Sequence, residues 1–130
     1  MSSNSSFTLG PAEIHIADLR LRTYIGFNPE ELEKKQDVVV NIWIQYPAEE
    51  ACSSDDRMEA LDYKVITKAV IKLIEEGRFK LLEKLTGDVL NLVMEHSQVA
   101  SAKVQIEKPH ALRFADSVSI TLNASRDEIV

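Results

Sequence analysis

Four stretches of this chain alternate apolar and polar residues, two before and two after a pair of stretches with helical spacing, and that order leaves few folds open. The first, "AEIHIADLRLRTYI" from Ala12 to Ile25, puts Ile14, Ile16, Leu19, Leu21 and Tyr24 on its apolar side, with a register change near Ala17–Asp18 that reads as a bulge. "GFNPEE" follows, with the glycine, asparagine and proline of a turn or loop. In "QDVVVNIWIQYP", Val38, Val40, Ile42, Ile44 and Tyr46 share one face, and Val39, Asn41, Trp43 and Gln45 share the other. The two runs read as an antiparallel pair.

"AEEACSSDDRMEA" is polar and loop-like. Asp62 is placed to cap a helix beginning at Tyr63. Val65, Ile66, Ala69, Val70, Leu73 and Ile74 then recur at helical spacing until Gly77 stops the run. A second helical stripe, Leu82, Leu85, Val89, Leu92 and Val93, lies between Leu81 and His96. Val99 to Glu107 alternates again, and Val118, Ile120 and Leu122 mark a fourth strand. The order β-β-α-α-β-β has no strand–helix–strand alternation, which argues against a doubly wound parallel sheet. It predicts an α+β domain: an antiparallel sheet with both helices on one face. The other face, carrying Trp43 and Val39, is left as a candidate subunit interface.

At 130 residues the chain fits one domain, expected over 12–124 between an N-terminal tail at 1–11 and a C-terminal tail at 125–130. A net charge of −6 argues against broad nucleic-acid binding, which needs a basic footprint. It leaves room for a small basic pocket that takes an anionic metabolite. The one cysteine, Cys52, fits a reducing compartment, and nothing near it resembles a base that would make it a nucleophile. No apolar run is long enough to span a membrane, and the start lacks the basic and apolar regions of a signal peptide, so a cytoplasmic location is expected. His15, His96 and His110 share no ligand spacing, and there is no C-x-x-C pair, so no metal site is expected.

Two charged residues stand out, each with two readings. Glu83, near the start of the second helix between Leu82 and Leu85, is either a first-turn acid favoured by the helix dipole or a carboxylate matched to two adjacent N–H donors of a ligand. Lys108, at a strand end against Pro109, is either an exposed lysine before a turn or a placed base, made usable by burial or by a neighbouring cation such as Arg113. "ELEKK", Glu31 to Lys35, looks like a solvated charge run.

Taken together, "LRLRTYIG…EE…Q", "ALDY", "LLEKL" and "IEKPHALRFADSVS" resemble the dihydroneopterin aldolase family in order and spacing, over about residues 12–123. "LRLRTYIGF", "LLEKLTGDVL" and "HALRFADSVS" are similar to its epimerase branch. The resemblance implies a tunnelling fold (T-fold) that assembles into an oligomeric barrel, a homotetramer or homo-octamer with active sites between subunits. It implies a pterin substrate, no organic cofactor and no metal. Carried onto this sequence, Lys108 matches the catalytic lysine and Glu31 an acid near the reacting side chain. Tyr63 matches a tyrosine from the adjacent subunit. Glu83 matches the glutamate that grips the pterin ring, with Leu61 and Leu82 near that ring. Arg22, Arg113 and His110 are candidates for a triphosphate tail. The implied activity is inversion at C2′ of 7,8-dihydroneopterin triphosphate. The alternatives are an aldolase that releases glycolaldehyde and a non-catalytic pterin-binding protein.

Overall fold

The structure is a computed structural model, and it describes residues 6–127. Parts of the two expected tails, residues 1–5 and 128–130, lie outside the described residues. Strand β1 spans Ala12–Ile25 and is followed by a short helix α1, Pro29–Glu33, and strand β2, Gln36–Tyr46. Helix α2 (Glu49–Ser54) and a 3₁₀ turn (Arg57–Glu59) lead to helix α3, Tyr63–Glu76. The two-residue strand β3 (Arg78–Phe79) precedes helix α4, Leu82–Met94. Strands β4 (Ser101–Pro109) and β5 (Ser117–Ser125) complete the chain. The sheet order is β3-β1-β2-β4-β5, antiparallel throughout except where β3 pairs in parallel with the end of β1.

One face of the sheet holds the core. Val38, Val40, Ile42 and Ile44 of β2 and Ala102, Val104 and Ile106 of β4 are buried, packed under Ile66, Val70 and Ile74 of α3 and Leu85, Val89 and Val93 of α4. The alternation of each strand therefore faces the stripe of each helix, and burial of these branched side chains supplies the main drive to fold. Asp62 caps α3 as the sequence predicts, accepting hydrogen bonds from the backbone N–H groups of Lys64 (3.1 Å) and Val65 (3.2 Å).

The bulge in β1 is where the alternation shifts. Ile16 faces Ile42 and Leu19 faces Val40, so Ala17 and Asp18 together oppose Asn41. The extra residue keeps Ile14, Ile16, Leu19 and Leu21 on the core face despite the change of parity. Asp18 takes a left-handed φ of 52°. Asn41, nearly buried, holds it there: its side-chain oxygen accepts from the Asp18 backbone N–H at 3.0 Å, and its amide donates to the Asp18 carboxylate at 3.2 Å. The same oxygen lies 2.9 Å from Nε2 of His15.

Two expectations are corrected. "GFNPEE" is not only a turn: Asn28 accepts from the Glu31 backbone N–H at 3.1 Å and Pro29 starts a helical turn, so capping makes a helix that has no apolar stripe to announce it. "AEEACSSDDRMEA" likewise holds α2, closed by Asp55 in the left-handed region, and the 3₁₀ turn. The far face of the sheet is the one without helices, and it carries Val39 and Trp43. Val39 is 5% exposed, and Trp43 is stacked against His15 at 4.5 Å with the Lys103 ammonium 4.3 Å from its ring centroid. β5 also runs one residue beyond 124, and Arg126 after it clasps the end of α4. Its guanidinium donates to the carbonyls of Met94, Val99 and His96.

Candidate active site

The ends of three strands meet at one corner of the sheet: the C-terminal end of β1, the N-terminal end of β2 and the C-terminal end of β4. Lys108, on β4, donates from Nζ to Oε2 of Glu31 at 2.8 Å. The side chains are 16% and 20% exposed, sheltered from bulk water but reachable. Gln36, the first residue of β2, donates to the same carboxylate oxygen at 3.0 Å and to the Ile25 carbonyl at 2.5 Å. Glu31 therefore accepts a cation and an amide on one oxygen and is the hub of the corner. Its carboxyl is held below the ordinary value of 4.5, chiefly by the hydrogen bond from Lys108, with hydrogen bonds from Gln36 and the Asn28 backbone N–H helping and partial burial opposing.

Gly26 makes room for this hub. It sits at φ +127°, and a Cβ there would lie 2.1 Å from the Cδ of Glu31. Its N–H donates to the Phe79 carbonyl at 2.9 Å, which ties the corner to β3. Beside it, the Tyr24 ring is faced by the Arg78 guanidinium at 3.8 Å and the Lys35 ammonium at 5.8 Å. Gly26 and Gln36 were not among the expected site residues. A glycine two residues before the Asn-Pro capping signal was the signal for the first; for the second it was the glutamine five residues after Glu31.

The reading of "ELEKK" as a solvated run fails for Glu31, which is paired with a lysine 77 residues away. The neighbour expected to tune Lys108 is also different. Lys108 meets a carboxylate, whereas Arg113 lies in the exposed β4–β5 connection with its guanidinium 5.4 Å from the Phe114 ring centroid.

The remaining predicted residues lie on other elements. Tyr63 is half exposed at the first turn of α3, beside a concavity lined by Arg57, Met58, Leu61 and Lys64. Leu61 is buried and belongs to the core. Leu82 is buried at the start of α4, and Glu83 is exposed in its first turn. The Arg22 guanidinium pairs with Asp37 at 3.2 Å and donates to the Lys35 carbonyl at 3.0 Å. His110, exposed, turns the chain at φ 63° just after Lys108 and Pro109. Within one chain the structure brings together Lys108 and Glu31. It also puts Arg22 and His110 on a shared groove. It leaves Tyr63 and Glu83 on separate helices. No group of three His, Cys, Asp or Glu side chains able to hold a metal occurs among the described residues.

A curled, mainly antiparallel sheet with two helices on one face, and an acid–lysine pair at its corner, defines a T-fold protein with a charged site at the strand ends. The family model for dihydroneopterin aldolase (FolB) matches residues 14–123, and the chain belongs to that family. A dihydroneopterin triphosphate 2′-epimerase from Pseudomonas aeruginosa is 54% identical over 117 residues, covering 90% of this chain and 95% of that protein. The protein of the same description from Escherichia coli K12 is 52% identical, covering 88% and 96%. A dihydroneopterin aldolase from Haemophilus influenzae is 26% identical over 84% of this chain and 92% of its own. Among solved structures, Escherichia coli dihydroneopterin aldolase in complex with neopterin superposes with a TM-score of 0.83 at 25% identity, covering 88% and 99%. A Vibrio cholerae protein assigned to the same aldolases gives 0.85 at 31% identity, covering 91% and 100%.

Proposed function

We infer that this protein is an epimerase that inverts C2′ of 7,8-dihydroneopterin triphosphate to give the monapterin form, by retro-aldol cleavage and re-addition. The observation that carries the reading is the gap in identity. Relatives described as epimerases share 52–54% of the sequence, whereas the Haemophilus influenzae aldolase shares 26%.

The chemistry uses the substrate's own electronics. Loss of the 2′-hydroxyl proton breaks the C1′–C2′ bond, and the electron pair passes into the C6=N5 imine as an enamine. Return of the pair to the opposite face of the retained aldehyde inverts C2′. Release of the aldehyde instead gives the aldolase outcome, a side activity the same site would carry.

Lys108 is the group assigned to moving the 2′-hydroxyl proton. The 2.8 Å contact offers a path between its nitrogen and the Glu31 carboxylate. Gln36 and Gly26 fix that carboxylate, so the pair is positioned before substrate arrives. Glu83 is assigned to the amino and N3 hydrogens of the pterin, with Leu82 and Leu61 near the ring. Tyr63 is assigned to the departing hydroxyl or aldehyde. The separation of Lys108 from Tyr63 and Glu83 within one chain favours a site completed between subunits of a homotetramer or homo-octamer. No described helix is long and apolar enough to cross a membrane. One exposed, unpaired cysteine supports a place in the reducing cytoplasm.

The test is to incubate the purified protein with dihydroneopterin triphosphate and resolve the products by chromatography. The C2′ epimer is the expected product. Glycolaldehyde triphosphate with 6-hydroxymethyl-7,8-dihydropterin as the main products would favour the aldolase, and no turnover would favour a pterin-binding protein.

A further inference from the structure

We propose that the groove lined by Arg20, Arg22, Asp37, Val39, Pro109 and His110 holds the phosphate tail of the substrate, and that Arg20 is its principal anchor. The proposal rests on the epimerase reading for the identity of that tail. The groove, of about 310 Å³, is on the sheet face away from the helices. Lys108 points to the helix-side corner where Glu31 waits. Pro109, the next residue, alternates to the other face and forms the groove wall. Consecutive Cα atoms are about 3.8 Å apart, so the groove begins one residue from the reacting corner.

Charge selects the ligand class. The whole chain carries −6, so its overall field repels a polyphosphate and a local cluster of cations must hold one. Arg20, Arg22 and His110 supply that cluster, with Asp37 as the groove's opposing carboxylate. Glu107 lies in the row of Arg20, beyond Val39, and does not line the groove.

The two arginines differ in what they are free to do. Arg22 is held by Asp37 and the Lys35 carbonyl. That ion pair is 65% and 73% exposed, the kind that contributes little and opens readily. Arg20 makes no ion pair or side-chain hydrogen bond among the described residues, so its planar donor fork is available for two phosphate oxygens. Arg22 joins by exchanging one carboxylate for a phosphate. Arg113 has no place in this groove; its guanidinium rests by Phe114.

Two measurements test this. The first compares kcat/KM, counted as substrate consumed, for dihydroneopterin triphosphate and for unphosphorylated dihydroneopterin in wild type, Arg20→Ala and Arg20→Lys. The second titrates inorganic tripolyphosphate into the same proteins by calorimetry, which needs no turnover. We expect the triphosphate-to-unphosphorylated ratio to fall about tenfold or more in Arg20→Ala, with partial recovery in Arg20→Lys. Tripolyphosphate affinity should fall in parallel. No tripolyphosphate binding by wild type, or either quantity unchanged in Arg20→Ala, overturns the proposal. Glycolaldehyde triphosphate as the main product from dihydroneopterin triphosphate would overturn the epimerase reading and leave the groove standing.

Discussion

Glu31 carries more of the site than any other residue, because three groups converge on its carboxylate and a glycine is needed to make room for it. Its carboxyl is lowered in the folded protein, so its interactions stabilise the fold above its ordinary value of 4.5 and are lost as pH falls through the lower folded value. Thus wild type should be more stable than Glu31→Gln at neutral pH, and the difference should shrink as the pH is lowered below 4.5 and through the folded value. Urea denaturation at each pH reads this; a difference independent of pH would mean that the Lys108 pair is not what lowers Glu31. Gly26→Ala places a side chain in a positive-φ position and against the Glu31 carboxylate. It should cost roughly 1–3 kcal/mol of stability and reduce kcat, because Glu31 must move. Lys108→Ala should abolish turnover while leaving pterin binding largely intact, as judged by fluorescence titration. Normal residual chemistry with lost binding would contradict its role.

The elements show which parts of the design are visible in a one-dimensional pattern. The four long strands and two long helices are legible because each buries a full face, and burial imposes a period on the residues. The bulge is legible because Ile16 and Leu19 are out of phase, although the asparagine that stabilises it comes from the next strand. α1, α2 and β3 are not legible, since they are five, six and two residues long and are set by caps or by one edge pairing. The site behaves the same way. Pattern alone left Lys108 open between an exposed lysine and a placed base and read Glu31 as a solvated acid, because their contact spans 77 residues of chain. Resemblance to the family pointed to both. Arg22 and His110 were already candidates for a phosphate tail, but Arg20 was not, since it joins them only through the pairing of β1, β2 and β4. One prediction belongs at this scale. Asp62 caps α3 directly before Tyr63, so Asp62→Ala should lower stability by about 0.5–2 kcal/mol in thermal or urea unfolding. It should also lower kcat if Tyr63 acts as proposed, which a stability loss alone at well-folded temperatures would not do.

At the scale of the whole molecule, the helices cover one sheet face and the other displays His15, Trp43, Lys103 and the basic groove. An assembly that wraps such sheets into a barrel would turn this polar, stacked face inward and bring Tyr63 and Glu83 of one copy toward the Lys108 corner of another. Light scattering should therefore give a mass of four or eight chains, and dilution to monomer should abolish turnover; an active monomer would contradict the shared site. The central claim is the fate of the C1′–C2′ bond. Dihydroneopterin triphosphate incubated with the pure protein and followed by chromatography should yield the C2′ epimer as the main product, with its carbon skeleton intact. Glycolaldehyde triphosphate and 6-hydroxymethyl-7,8-dihydropterin released in step with substrate loss would contradict it.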